Sequence, residues 1–148
     1  MMVRNAAIAL ALALAACGQQ NAATESAAEG PQLLELPDGK VLLNATCFIE
    51  EGRRGTRQRV FLAIADHVRG PYVSIGPVLP TTEPDIPEWE NGENGHASAI
   101  VCDDELYLFY QARSQAVEEP KEANPWRYGI AVFKIEDILA AYTKTGSL

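Results

Sequence analysis

Most of this chain alternates with a period of two, the pattern of β-strands, whose successive side chains point to opposite faces of a sheet. In residues 41–50 one face would carry Val41, Leu43, Ala45, Cys47 and Ile49. The alternation predicts strands over residues 41–50, 59–65, 72–75, 97–102, 106–112 and 128–134. Helical spacing occurs only near the end, at Ile135, Ile138, Leu139 and Tyr142. The sequence therefore predicts a mainly β fold, an antiparallel meander with one short C-terminal helix.

Glycine, proline and charge mark the connections between these strands. Prolines at positions 80, 84 and 87 exclude regular structure from a long acidic loop. An arginine-rich turn is expected over residues 51–58, and a charged loop over residues 115–124.

The order of the predicted elements suggests an internal repeat. Residues 41–79 and 97–134 each contain a strand, a turn and further strands, with a cysteine in the first strand. Repeats of about 40–50 residues built from short antiparallel strands are typical of propeller blades. The two stretches are thus interpreted as two blade-like units.

The N-terminus has the pattern of an export signal. Arg4 precedes an apolar run over residues 6–16, which is shorter than the about 20 residues that a membrane-spanning helix needs. The run ends in Leu14-Ala15-Ala16-Cys17, which resembles the lipobox of bacterial lipoproteins. That resemblance implies cleavage before Cys17, acylation of its thiol and a membrane anchor. Gly18 follows the cysteine. Lipoproteins without an aspartate at this position resemble those sorted to the outer membrane, which implies a protein facing the periplasm or the surface.

The chain is thereby divided into a signal peptide (1–16), a flexible tether (17–31) and a folded domain (32–148). The tether contains no large apolar residue and cannot bury enough surface to order itself. The net charge of −8 excludes nucleic acid as a partner, because phosphate binding needs clustered positive charge.

Two stretches carry a family resemblance. Gly95-His96-Ala97-Ser98, followed by Cys102-Asp103-Asp104-Glu105-Leu106-Tyr107-Leu108-Phe109-Tyr110-Gln111-Ala112-Arg113, resembles the last-blade motif of glycoside hydrolase family 43 and related five-bladed β-propellers. Upstream, Ala65-Asp66-His67-Val68-Arg69-Gly70-Pro71-Tyr72 and Gly76-Pro77-Val78-Leu79-Pro80 look like the end of the preceding blade. Together the matches cover residues 60–134.

The resemblance implies a carbohydrate-active fold but not a complete enzyme. In that family the catalytic base, the pKa-tuning aspartate and the general acid come from the first three blades, whereas this chain would hold about two blades. Gln111 also stands where the family usually has histidine. The resemblance places His96 where the family's histidine lines a central channel near a bound metal ion; the alternative is a satisfied polar group at the start of a strand.

Cys47 and Cys102 are predicted to form a disulfide bond, since both lie in strands of an exported chain. The alternative is a pair of buried thiols.

The acidic loop offers oxygen atoms of the kind that calcium binds, at Glu83, Asp85, Glu88, Glu90, Asn91, Glu93 and Asn94. Its spacing is not that of an EF-hand, so a solvated loop is the favoured interpretation. Trp89, His96, Tyr110 and Trp126 are the candidate carbohydrate-binding residues. For the two tryptophans, core packing is the alternative.

Three functions remain open. The favoured one is an envelope-anchored lipoprotein with a non-catalytic, carbohydrate-binding β-domain. The second is a glycosidase, acting on plant or envelope polysaccharide, whose site other subunits complete. The third is a structural lipoprotein whose open strand edges pair with another envelope protein. A homo-oligomer is the other protein partnership that we consider.

Overall fold

The computed structural model describes residues 28–49, 57–81, 83–114 and 125–145. The signal peptide, Cys17, most of the arginine-rich turn and the charged loop over residues 115–124 lie outside the described residues. Within them, no helix is both long enough and apolar enough to cross a membrane.

The described residues form seven strands, arranged in two antiparallel sheets, and one α-helix. The first sheet has the order β1 (Ala28–Glu35), β2 (Val41–Ile49), β3 (Arg57–Ala65) and β4 (Val73–Pro77). The second has the order β5 (Glu93–Cys102), β6 (Glu105–Arg113) and β7 (Arg127–Lys134), and α1 (Ile135–Thr145) follows it directly. A short 3-10 helix, Glu88–Glu90, lies in the acidic loop. The predicted mainly β fold with a C-terminal helix is confirmed.

Strand β1 was not predicted, and it begins inside the stretch assigned to the tether. It pairs with β2, with Leu33 opposite Leu43 and Leu34 opposite Leu42. Its register shifts between Glu29 and Gln32. This irregularity breaks the period-two pattern, which explains why the alternation did not reveal the strand.

The main core lies between the two sheets. Leu42, Val60, Leu62 and Ile64 of the first sheet meet Ala99, Leu106 and Leu108 of the second, all with 0% exposure. Ile135 and Ile138 of α1 close this core, and the helix packs against β4 and β7. A second buried cluster occupies the other face of the first sheet, at Leu43, Ala45, Cys47, Phe61, Ala63, Ala65 and Tyr72.

Polar side chains of the first sheet bind the backbone of β5 along its unpaired edge. Gln32 both donates to the Ala99 carbonyl, at 2.8 Å, and accepts from the Ala99 N–H, at 2.7 Å. Asn44 donates to the Ala97 carbonyl at 3.0 Å. Buried amides therefore replace a neighbouring strand and satisfy backbone groups that burial would otherwise leave unpaired.

The predicted disulfide between Cys47 and Cys102 is wrong, because Cys102 is a free, exposed thiol at the end of β5. Cys47 is buried in the second cluster. Its neighbours in β2, Asn44 and Thr46, point towards β5, and alternation therefore directs Cys47 to the opposite face. The two cysteines lie on different sheets and face different surroundings.

Candidate functional site

A β-bulge places His96 at the surface. Gly95 pairs with Gln111 and Ser98 with Phe109, so His96 and Ala97 together oppose Tyr110. His96 has a φ of 48°, in the left-handed region, and its N–H donates to Thr46 Oγ1 at 2.6 Å. Holding a non-glycine residue there costs about 1 kcal/mol or more, and such residues are concentrated at functional sites. The bulge turns the exposed imidazole away from the core.

The glycine before His96 is required by close packing between the sheets. A Cβ atom on Gly95 would lie 2.4 Å from Gln58 Oε1 and 2.9 Å from Thr46 Cγ2. The Gly-His pair therefore has a structural reason: the glycine lets β5 approach the first sheet, and the bulge then exposes the next side chain.

Tyr110 lies beside the bulge and is ordered by two contacts. Its ring covers Gly129 of the neighbouring strand, where a Cβ atom would lie 2.5 Å from Tyr110 Cζ. Its hydroxyl donates a hydrogen bond to Glu90 Oε1. Burial, and then the hydrogen bond to the Glu90 carboxylate, raise the pKa of Tyr110 well above its ordinary value. Tyr110 therefore stays a neutral donor throughout the physiological pH range.

The exposed side of the second sheet carries a cleft of about 630 Å³. We call it the aromatic cleft; it is lined by His96, Ser98, Phe109, Tyr110, Tyr128, Gly129 and Ile130. Tyr128 is 84% exposed, and Phe109 is 40% exposed. The cleft thus combines exposed aromatic surface with the polar groups of His96 and Ser98.

The structure brings together two of the four candidate carbohydrate-binding residues. His96 and Tyr110 line the aromatic cleft. Trp89 is half-buried against the main core. Trp126 lies under Arg113, whose guanidinium carbon is 4.6 Å from the centroid of the indole. Neither tryptophan lines the cleft.

Five of the residues that line the cleft were missed in the sequence analysis: Ser98, Phe109, Tyr128, Gly129 and Ile130. Phe109 and Tyr128 are the two aromatic residues among them. Residues 128–134 read Tyr-Gly-Ile-Ala-Val-Phe-Lys, in which Tyr128, Ile130 and Val132 alternate with the half-buried Ala131 and Phe133. Apolar residues on both faces of a strand were a signal that the second face is also a contact surface.

A buried ion pair lies at the end of β6, beyond the cleft. Arg113 binds the Glu93 carboxylate, whose side chain is only 6% exposed. The second oxygen of Glu93 accepts the Gln58 N–H at 3.1 Å. Through this carboxylate, Arg113 ties the second sheet to β3 of the first.

The calcium proposal gains no support from the described part of the chain, in which no group of three or more His, Cys, Asp or Glu side chains could hold a metal ion. Two carboxylates of the acidic loop have other partners: Glu90 accepts from Tyr110, and Glu93 pairs with Arg113. For His96, metal binding remains an untested prediction.

The chain matches no protein family model, and no curated protein matches it. Among solved structures, it is similar to an α-L-arabinofuranosidase from Podospora anserina in complex with cellotriose, with a TM-score of 0.53 and 22% identity. It is also similar to a GH43 β-xylosidase/α-arabinofuranosidase from a compost microbial metagenome in complex with xylotriose, with a TM-score of 0.51 and 18% identity.

Both matches cover 70% of this chain but only 37% and 30% of the respective enzymes. The chain therefore spans about a third of the length of these carbohydrate-active propeller enzymes. The shared feature is the fold: two antiparallel sheets, packed face to face, that correspond to partial propeller blades.

Proposed function

We propose that this protein is an envelope-anchored lipoprotein whose β-domain binds carbohydrate in the aromatic cleft without hydrolysing it. The observation that carries this proposal is the exposure of Tyr128 beside Phe109 on one open face. An exposed aromatic ring offers an apolar platform for the C–H face of a sugar. His96 and Ser98 supply hydrogen-bonding groups at the same place.

The lining of the cleft favours binding over hydrolysis. Glycoside hydrolysis uses two carboxylates on either side of the scissile bond, about 5–9.5 Å apart. None of the described residues that line the cleft is acidic. The two similar enzymes are in complex with cellotriose and with xylotriose, so short neutral oligosaccharides are suitable first probes.

The binding test is calorimetric titration of the chain with cellotriose, xylotriose and arabino-oligosaccharides. We expect Tyr128→Ala to weaken binding about tenfold or more, since the most exposed part of the platform is lost. Tyr107→Ala is the matched control, because Tyr107 lies on the same sheet outside the cleft and donates to Glu105 at 2.8 Å. If no oligosaccharide binds the original chain, or if both variants lose affinity equally, the proposal fails.

His96→Gly separates binding from folding. Glycine accepts the left-handed conformation without strain, so we expect the free energy of unfolding to rise by about 1 kcal/mol. The same change removes the imidazole from the cleft and should weaken oligosaccharide binding. Thermal unfolding and calorimetry on one protein sample measure both effects. A histidine with only a structural role would change stability and leave affinity unchanged.

The proposed anchor depends on Cys17, which lies outside the described residues. Its support is the signal pattern of residues 1–16 and the cysteine that follows it. Acyl chains on Cys17 would hold the domain at the membrane. We expect Cys17→Ser to move the protein from the membrane fraction to the soluble fraction, and an unchanged membrane fraction would contradict the anchor.

A further inference from the structure

The second sheet exposes an apolar surface that extends beyond the cleft. We call it the outer face; it consists of Ser98, Ile100, Tyr107, Phe109, Tyr128, Ile130 and Val132. The strand register aligns these residues in rows across β5, β6 and β7: Ile100, Tyr107 and Val132 form one row, and Ser98, Phe109 and Ile130 form the next. The buried residues Leu106 and Leu108 point from the same strand to the other face.

Almost all the exposed apolar surface of the described residues is concentrated here. Five of the six large apolar side chains that they expose lie on the outer face, with exposures of 40% to 84%. The sixth, Val68, lies in the connection between β3 and β4. The five side chains present about 600 Å² to solvent, at the upper end for the largest apolar patch of a monomer.

The undescribed stretches after the predicted cleavage site contain few large apolar residues that could cover this surface. The undescribed stretches that follow the predicted cleavage site are residues 17–27, 50–56, 82, 115–124 and 146–148. Val117 and Leu148 are their only large apolar residues. These stretches cannot offset the ordering cost of covering a three-stranded face.

We infer that the outer face docks onto the outer face of a second copy of this chain. The contact would be isologous, because the described residues expose no other apolar patch to serve as its counterpart. Two sheets pack face to face about 10 Å apart. The two sheets within this chain also pack face to face. Two faces of about 600 Å² bury about 1,200 Å² in total, the lower limit for a specific interface.

The polar boundary of the face agrees with this arrangement. The row beyond Ile100 and Val132 carries Glu105 and Lys134, which form an ion pair at 2.8 Å with half-exposed Lys134. A charged rim around an uncharged centre is the usual anatomy of a protein interface.

The dimer and the proposed carbohydrate site would compete, because four residues belong both to the outer face and to the aromatic cleft: Ser98, Phe109, Tyr128 and Ile130. An oligosaccharide in the cleft would exclude the second copy, and dimer formation would weaken carbohydrate binding by the same factor. The dimer itself does not depend on the carbohydrate proposal.

Val132→Glu tests the dimer and leaves the cleft residues intact. Val132 is 49% exposed on the outer face, and Val68, 51% exposed elsewhere, provides the matched control Val68→Glu. The full chain is examined in detergent by sedimentation equilibrium from about 1 to 100 μM, the range in which a small interface associates. We expect a reversible dimer for the original chain and for Val68→Glu. For Val132→Glu we expect dimerisation to be weakened about tenfold or more, because two carboxylates would have to be buried.

The inference is overturned if the original chain stays monomeric across this range, or if Val132→Glu dimerises as well as Val68→Glu does. Thermal unfolding of both variants checks that the fold is intact. Adding cellotriose distinguishes the two proposals: release of monomers supports competition at the shared residues. If the dimer persists in the presence of every oligosaccharide, the result supports the interface and contradicts carbohydrate binding.

Discussion

Gly129→Val is expected to lower the free energy of unfolding by about 3 kcal/mol and to abolish oligosaccharide binding. Valine normally favours a strand over glycine, so backbone preference alone predicts the opposite sign. Gly129 also has no positive φ that would exclude a side chain. The expected loss comes from the Tyr110 ring, since a Cβ atom on residue 129 would lie 2.5 Å from its Cζ and 2.6 Å from its hydroxyl oxygen.

Displacing that ring has two consequences. The hydrogen bond from Tyr110 to Glu90 is broken, and the buried hydroxyl loses its acceptor. The ring also moves towards the bulge opposite it, where His96 enters the cleft. The loss of stability and the loss of binding therefore have one cause.

Chemical denaturation of Gly129→Val, Tyr110→Ala and the double variant tests this cause. If the clash with the ring is responsible, the valine costs much less once Tyr110 is absent, and the two changes are strongly non-additive. Additive effects would show that Gly129 is required for another reason. Circular dichroism of each variant at low denaturant confirms that a folded state is being compared.

Alternation was sufficient to predict most strands of this fold. The two faces assigned to residues 41–50 are those observed: Leu42 and Asn44 point to the second sheet, while Leu43 and Cys47 lie in the other cluster. The spacing of Ile135 and Ile138 likewise predicted the helix that closes the core. The faces of a strand and the position of an amphipathic helix depend on local periodicity, which can be read from the sequence alone.

The features that sequence did not reveal depend on breaks in periodicity or on distant partners. β5 begins at Glu93, four residues earlier than expected. The bulge at His96 adds one residue to this strand and breaks its alternation, which hid the part before the bulge. The cysteine pairing failed because the sheet that a strand joins, and the face it turns to a neighbour, depend on tertiary contacts. Trp126 was predicted as a sugar platform, and nothing in the sequence indicated that the Arg113 guanidinium lies over its ring.

Arg113 and Glu93 form an ion pair whose carboxylate is buried. Arg113→Met is expected to lower the free energy of unfolding by about 3 kcal/mol, because it leaves the carboxylate of Glu93 without its cation in a largely dry site. The value lies at the low end for a buried pair, since the Arg113 side chain is 29% exposed while that of Glu93 is 6% exposed. Part of the loss, about 0.5–1 kcal/mol, belongs to the contact between Arg113 and Trp126.

Lys134→Met is the matched control for this experiment. Lys134 binds Glu105 at 2.8 Å, but its side chain is 48% exposed, and a solvent-exposed pair contributes less than about 1 kcal/mol. Urea denaturation of the two methionine variants should therefore separate them by about 2 kcal/mol. Similar losses of stability in both variants would show that burial does not strengthen the pair of Arg113 and Glu93.

Neutralising the carboxylate should restore most of the lost stability. In Arg113→Met combined with Glu93→Gln, the new amide keeps an oxygen that can accept the Gln58 N–H. The double variant should thus be more stable than Arg113→Met alone, while the ion pair and the contact with Trp126 remain lost. This order of stabilities would show that the loss in Arg113→Met comes from the unpaired, buried charge of Glu93. If the double variant were the less stable of the two, Arg113 would instead contribute mainly through its packing across the end of β6.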